Sequence, residues 1–349
     1  MKHNLIFQAC FSPISRLLFL FLLFAPIADA QWQKQTVDTK ASLRGLSVVN
    51  EKVIWASGTN GTFLKTVDGG KMWTVGKVPD ADKLDFRDVE AFDANTAYLL
   101  SIGNGESSRI YKTTDGGATW KLQFKNTNEK AFFDALAFWD FRNGIAMSDP
   151  VDGKYLLIET KDGETWEVID NNQSPRAKEG EAAFAASGTC LITYGKSNVY
   201  LASGGTNARV FYSGARGVSW LALDTPITKG TAGSGIFSIA MLNERQGVIV
   251  GGNYEKPDEI NNNSAFTSNG GVSWTPGKGL SGYRSGVTYV NKNTLIAVGS
   301  SGSDLSNDGG RTWKNLDKEN YNSVAAKGKN SIWAVGANGL VAKFSMLKK

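Results

Sequence analysis

Thr113-Thr114-Asp115-Gly116-Gly117-Ala118-Thr119-Trp120 and Ser306-Asn307-Asp308-Gly309-Gly310-Arg311-Thr312-Trp313 are two copies of one octapeptide pattern, and its recurrence decides the fold. Residues 66–73 form a third copy, with Asp68, Trp73, and Met72 in the hydroxyl position. Residues 160–166 keep Asp162, Thr165 and Trp166 but are one residue shorter. Residues 213–220 and 267–274 keep glycine, serine and the closing Trp220 and Trp274, with Ala215 and Asn269 in place of aspartate. Each residue type suits a tight hairpin for its own reason. The carboxylate accepts N–H bonds within the turn, and glycine takes positive φ without steric cost. The tryptophan opens the next strand and can bury on the order of 150–250 Å² between neighbouring elements.

The closing tryptophans, 73, 120, 166, 220, 274 and 313, are 47, 46, 54, 54 and 39 residues apart, the length of a four-stranded propeller blade. Alternating strand patterns fill the intervals: residues 53–58 and 62–66 near the start have counterparts at 331–336 and 340–344 near the end. After Trp313 there is chain for three strands but no further copy of this octapeptide, the Asp-box. Trp32 lies 41 residues before Trp73, where another box tryptophan would fall. The expected fold is therefore all-β: a seven-bladed β-propeller, its last blade completed by the N-terminal strand. Such closure removes open sheet edges. Six copies at near-equal intervals cannot converge on one active site, so Asp68, Asp115, Asp162 and Asp308 are expected to be scaffold residues.

Residues 1–30 stand apart. Lys2 and Arg16 precede an apolar run at 17–27 that ends in Ala28-Asp29-Ala30, the pattern of a secretory signal cleaved before Gln31. The run is too short to span a bilayer, for which about 20 residues are needed. Export to the periplasm or beyond is expected, with residues 31–349 as one propeller domain. Of 349 residues, the one histidine, His3, lies in this leader, so the remaining chain cannot run Ser-His-Asp or Cys-His chemistry or build His-containing zinc sites. Cys190 is the one cysteine outside the leader and reads as strand core, so no intrachain disulfide is expected. The net charge of +5 is mild and argues for no nucleic-acid partner. No metal or cofactor motif is present, no transmembrane segment follows the leader, and a monomer is expected.

A site is expected where the innermost strands begin, at the channel mouth on the face opposite the boxes. Aligned across repeats, these openings are Arg44-Gly45-Leu46, Arg87-Asp88-Val89, Phe133-Asp134-Ala135, Gly180-Glu181-Ala182, Gly235-Ile236-Phe237, Arg284-Ser285-Gly286 and Tyr321-Asn322-Ser323. They predict a bipolar mouth. Arg284, Asn322, Arg44 and Arg87 form one arc, and Asp88, Asp134 and Glu181 the other. Such charges can pair among themselves, or the planar guanidinium forks can take a carboxylate or peptide group of a partner. The alternative is a glycoside hydrolase using Asp134 and Glu181 as paired carboxylates.

The boxes, with segments 132–140, 148–153 and 282–287, give the chain a further likeness. It resembles the seven-bladed propellers of photosystem II stability and assembly factors and their bacterial BNR-repeat relatives. That resemblance implies a non-enzymatic protein that holds an immature membrane-protein subunit, or its tail, through an arginine patch, for which Arg44, Arg87 and Arg284 are the matching positions. Sialidases share the boxes, but Ser42-Leu43-Arg44-Gly45 lacks their Phe-Arg-Ile-Pro element, and seven blades differ from their six.

Overall fold

The computed structural model describes Met1, residues 31–170 and residues 172–346, so the leader lies outside the described residues. Seven antiparallel sheets follow one another along the chain, confirming the expected all-β seven-bladed propeller. Blade 1 sets the pattern: Leu43–Val48 innermost, then Ile54–Gly58, Thr62–Thr66 and, outermost, Thr74–Lys77. The second strand is buried throughout and the fourth is largely open, because inner strands pack between two neighbouring sheets while the rim meets water. Apolar clusters accordingly lie between successive sheets rather than in one central core.

Gln31–Gln35 pairs antiparallel with Val341–Ser345, opposite which Trp32 meets Phe344. Trp32 packs against Tyr321 and Phe344 at ring separations of 5.1 and 5.0 Å, and its indole N–H donates to Ser303 Oγ of the preceding blade at 3.0 Å. The ring is thus closed across the two chain ends.

Each of the six motifs turns the chain from the third to the fourth strand of a blade. In the 113–120 copy, Thr113 Oγ1 donates to Asp115 Oδ1 (2.8 Å) and accepts from Gly117 N (2.9 Å). Asp115 in turn accepts from Thr119 N at 2.9 Å and from its hydroxyl at 2.5 Å. These bonds, led by the Thr119 hydroxyl, hold the Asp115 carboxyl down at about 2. Gly117 sits at φ +88°, and a Cβ there would lie 2.6 Å from the Phe63 ring of the previous blade, so both conformation and space demand glycine. In the Ala215 copy the Ser213 Oγ–Gly217 N bond (3.0 Å) persists without the carboxylate.

The sequence reading missed a latch between blades. Lys65, Lys112 and Lys343, each on a third strand, reach the box carbonyls of Gly116, Gly163 and Gly69 in the next blade at 2.7, 2.9 and 3.4 Å. Each passes over an aromatic ring of its own second strand, Trp55, Tyr98 and Trp333, at 5.0, 5.2 and 5.1 Å.

One inner strand departs from the alignment. Glu181–Ala182 pairs only with Gly204–Gly205, and the strand resumes at Leu191–Tyr194, opposite Asn198–Leu201. Residues 183–189 leave the blade between these two pieces. The opening at 180–182 is therefore a short prelude to the blade 4 inner strand rather than its body.

Candidate functional site

Four inner strands carry the same irregularity, and it aims the site. A register shift skips one residue near the start of blades 1, 2, 3 and 5, and the skipped residues are Arg44, Arg87, Asp134 and Phe237. A bulge leaves its extra residue outside the ladder and turns its side chain, here toward the channel mouth. Blade 4 enlarges the same irregularity to the seven residues 183–189. This loop crosses the channel: it meets Arg44 and Arg87 of blades 1 and 2, Phe237 of blade 5, and Ser285 of blade 6 through a 2.7 Å bond from Ser187 Oγ to the Ser285 carbonyl. The channel is plugged, and the plug is the floor of a mouth cavity of about 510 Å³, within the usual range for ligand pockets.

Arg44 Nη1 donates to the Ala186 carbonyl at 3.1 Å and Arg87 Nη1 to that of Ala185 at 3.2 Å, so both guanidiniums stand on the plug backbone. Arg87 also pairs with Asp85 at 2.8 Å. Arg44 makes no ion pair among the described residues, and burial, followed by the nearby Arg87 charge, makes its proton easier to lose. Two arginines side by side, one without a counter-charge, form an anion-receptive corner. Asn322 also lines the cavity, where its side-chain amide donates to the Leu43 carbonyl at 2.9 Å and ties blade 7 to blade 1.

The expected bipolar ring does not form, because three of its charges are placed elsewhere. Arg284 is fully buried, donating to Asp304 Oδ2 at 2.6 Å, to the Tyr283 carbonyl at 2.7 Å and to Ser301 Oγ at 2.9 Å, and it does not line the mouth cavity. Glu181 is locked in an ion pair with Arg209 and accepts from Ser203 Oγ at 2.6 Å. Those partners outweigh its burial and hold its carboxyl below the ordinary value, and it faces a groove beside the mouth. Asp88 lies on the far side of the plug, in a separate cavity of about 290 Å³ that it shares with Glu90. It accepts from Leu136 N at 2.8 Å, yet burial pushes its carboxyl up to about 7. Only Asp134 of the expected acidic arc remains in the mouth cavity. Asp134 and Glu181 therefore do not converge on one cavity as a hydrolytic pair.

The structure adds residues to the mouth that the sequence reading had not assigned there. Asp149 arrives from the second strand of blade 3. Phe184, Tyr254 and Tyr283 join Phe237, already among the aligned openings, in an aromatic wall. The wider Trp166 to Trp220 interval was the one sequence sign of extra chain in blade 4. The buried Cys190 thiol, raised by burial, stays outside the site as structural core. No group of three or more potential metal ligands, and no helix long and apolar enough to cross a membrane, occurs among the described residues.

Comparison with known proteins bears out the resemblance read from the boxes. The family model of the photosynthesis system II assembly factor YCF48 matches residues 25–121, which hold Trp32, Arg44, Arg87 and two of the six boxes. Among solved structures, YCF48 bound to a D1 peptide is 17% identical, with 90% of this chain and 97% of that chain covered and a TM-score of 0.64. YCF48 from Cyanidioschyzon merolae is 16% identical, covering 90% of this chain and 99% of that one, with a TM-score of 0.63. The structure of U3-55K is 15% identical, covering 92% and 100%, with a TM-score of 0.64. No curated protein matches. The structure of U3-55K superposes as well as that of the assembly factor, so the structural likeness establishes the fold and not the function.

Proposed function

We propose that this chain is a non-enzymatic, exported and monomeric propeller that binds a protein or peptide segment at its loop-rich mouth, with an anionic group of that segment held by Arg44 and Arg87. The observation that carries this reading is the pair of bulged arginines standing on the plug in a cavity of about 510 Å³, with Arg44 lacking an acidic partner among the described residues. The similar YCF48 with a bound D1 peptide supports a peptide as ligand, and the match of residues 25–121 to an assembly-factor family is compatible with the partner class that the resemblance implies, an immature membrane-protein subunit. The leader at residues 1–30 supports export.

A charge-assisted hydrogen bond contributes about 1.5–3 kcal/mol, so replacing Arg44 by Gln is expected to weaken binding of an acidic peptide by roughly 10–150-fold. Calorimetric titration of the folded variant, with Arg87→Gln alongside, tests this. Equal affinities for wild type and both variants would remove the reading.

A further inference from the structure

The mouth cavity has an acidic side as well as its arginine corner. Asp134 is 1% exposed and its Oδ2 has no hydrogen-bond partner, an arrangement that normally costs about 1–3 kcal/mol and is avoided. Asp149 opens into the same cavity, its Oδ1 accepting from Ala183 N at 2.8 Å. Neither carboxylate forms an ion pair with any cation among the described residues; the nearby Arg87 is engaged by Asp85. Both carboxyls are raised, Asp149 to about 6 by burial, and Asp134 well above its ordinary value by burial and then by Asp149. The two neighbouring carboxyls thus share the cavity without a direct ion-pair partner, Arg87 acting on Asp134 only through space.

The wall beside them is aromatic. Phe184 from the plug and Phe237 from the blade 5 bulge stack at 3.9 Å with planes 6° apart. Tyr254 stands edge-on to both at 6.4 and 6.2 Å, and Tyr283 meets Phe237 edge-on at 4.7 Å. Aromatic faces attract a desolvated cation through their quadrupoles, and a carboxylate acceptor next to them supplies the directional bond.

We infer that the mouth cavity contains a second subsite, formed by Asp134 and Asp149 against Phe184, Phe237 and Tyr254, which takes a primary ammonium group of the bound segment. This rests on the peptide-binding reading and deepens it. The recognised segment carries an ammonium close to the anionic group that sits at Arg44, so the cavity reads a pair of opposite charges. The source of the ammonium is a lysine side chain or a free amino end. Asp149, partly open to the cavity, supplies the acceptor for the ammonium and Asp134 beside it adds negative charge, whereas a divalent metal would need more oxygen ligands than this cavity offers.

Synthetic octapeptides differing at two positions test this by calorimetry, with acetylated amino ends: Lys-Glu, acetyl-Lys-Glu, Lys-Gln and acetyl-Lys-Gln. A fifth, with Gln for Lys and a free amino end, separates the terminus from the side chain. Wild type is expected to bind Lys-Glu, or the free-ended peptide, at least tenfold more tightly than acetyl-Lys-Glu. Asp134→Asn should reduce that ratio below threefold while retaining the Glu-over-Gln preference, and Arg44→Gln should do the reverse. Equal affinity of wild type for acetyl-Lys-Glu, Lys-Glu and the free-ended peptide overturns the ammonium subsite and leaves the arginine reading standing. A lost Glu-over-Gln preference with a surviving Lys preference overturns the arginine reading instead. No binding of any peptide overturns both. Saturable Ca²⁺ binding without peptide, abolished by Asp134→Asn, overturns the choice of ammonium.

Discussion

Arg284 is a structural arginine, and its replacement by Met tests that assignment. Its guanidinium is fully buried and donates to Asp304, Ser281, Ser301 and the Tyr283 carbonyl. Removing it leaves Asp304, itself fully buried, as an uncompensated charge; breaking a buried pair in this way costs about 3–5 kcal/mol. At roughly 2–4 °C per kcal/mol for a large domain, the melting temperature should fall by about 6–20 °C. Replacing both partners, Arg284→Met with Asp304→Leu, removes the orphaned charge and should restore at least half of that loss, a non-additivity expected only of directly coupled residues. Scanning calorimetry reads the stability, and titration with the Lys-Glu peptide below the transition reads the function. Affinity within twofold of wild type is expected for Arg284→Met. A variant as stable as wild type with tenfold weaker peptide binding would refute the assignment and return Arg284 to the recognition patch.

Three further outcomes are expected. Trp32→Ala removes two ring contacts and the bond to Ser303 Oγ from the closing strand, and should cost about 2–4 kcal/mol in chemical denaturation; a change below 0.5 kcal/mol would show that closure contributes little. Asp88 and Glu90 have folded-state carboxyls raised to about 7 and about 8, by burial and, for Glu90, also by Asp88, so the folded state holds protons that the unfolded chain releases above about pH 4. Their contribution to stability therefore declines as pH rises from about 4 to 8; the Tm should drop over that range, and the drop should shrink in Asp88→Asn, with an unchanged slope in the variant counting against the assignment. Gly188 has φ +76° and a Cβ there would lie 2.3 Å from Asp88 Oδ1, so Gly188→Ala should disturb the plug and weaken peptide binding while box geometry and ring closure survive; unchanged binding would show that the plug is not the cavity floor.

The fold was legible because its determinants are local. A box needs only eight consecutive residues to satisfy its own turn, and its tryptophan needs only the neighbouring blade, so six copies announce six sheets and Trp32 announces the seventh. The mouth was legible in part, since the bulge falls at the same place in four inner strands and the alignment therefore reached Arg44, Arg87 and Asp134. It failed where a partner comes from another strand. Nothing near Arg284 in sequence reveals that Asp304, on the third strand of its blade, points inward to meet it, and Glu181 likewise meets Arg209 across 28 positions. Asp88 lines a cavity on the other side of the plug from Arg87, because the plug crosses between them, a crossing no local sequence pattern reveals.

One departure from sevenfold regularity explains why this propeller has a pocket at all. With single-residue bulges in every blade the arginines would face an open, hydrated channel, where screening leaves an exposed ion pair about 0–1 kcal/mol. Lengthening the blade 4 bulge to residues 183–189 places backbone across the opening. Its carbonyls anchor Arg44 and Arg87, its Ala183 amide anchors Asp149, and Phe184 brings an aromatic face. Opposite charges are thereby held on one floor without a direct ion pair across the cavity, since Arg44, Arg87 and Asp149 are each bonded to the plug. On the reading proposed above, a ligand that carries both signs meets both corners at once, and that selectivity would follow from the same insertion that interrupts the blade.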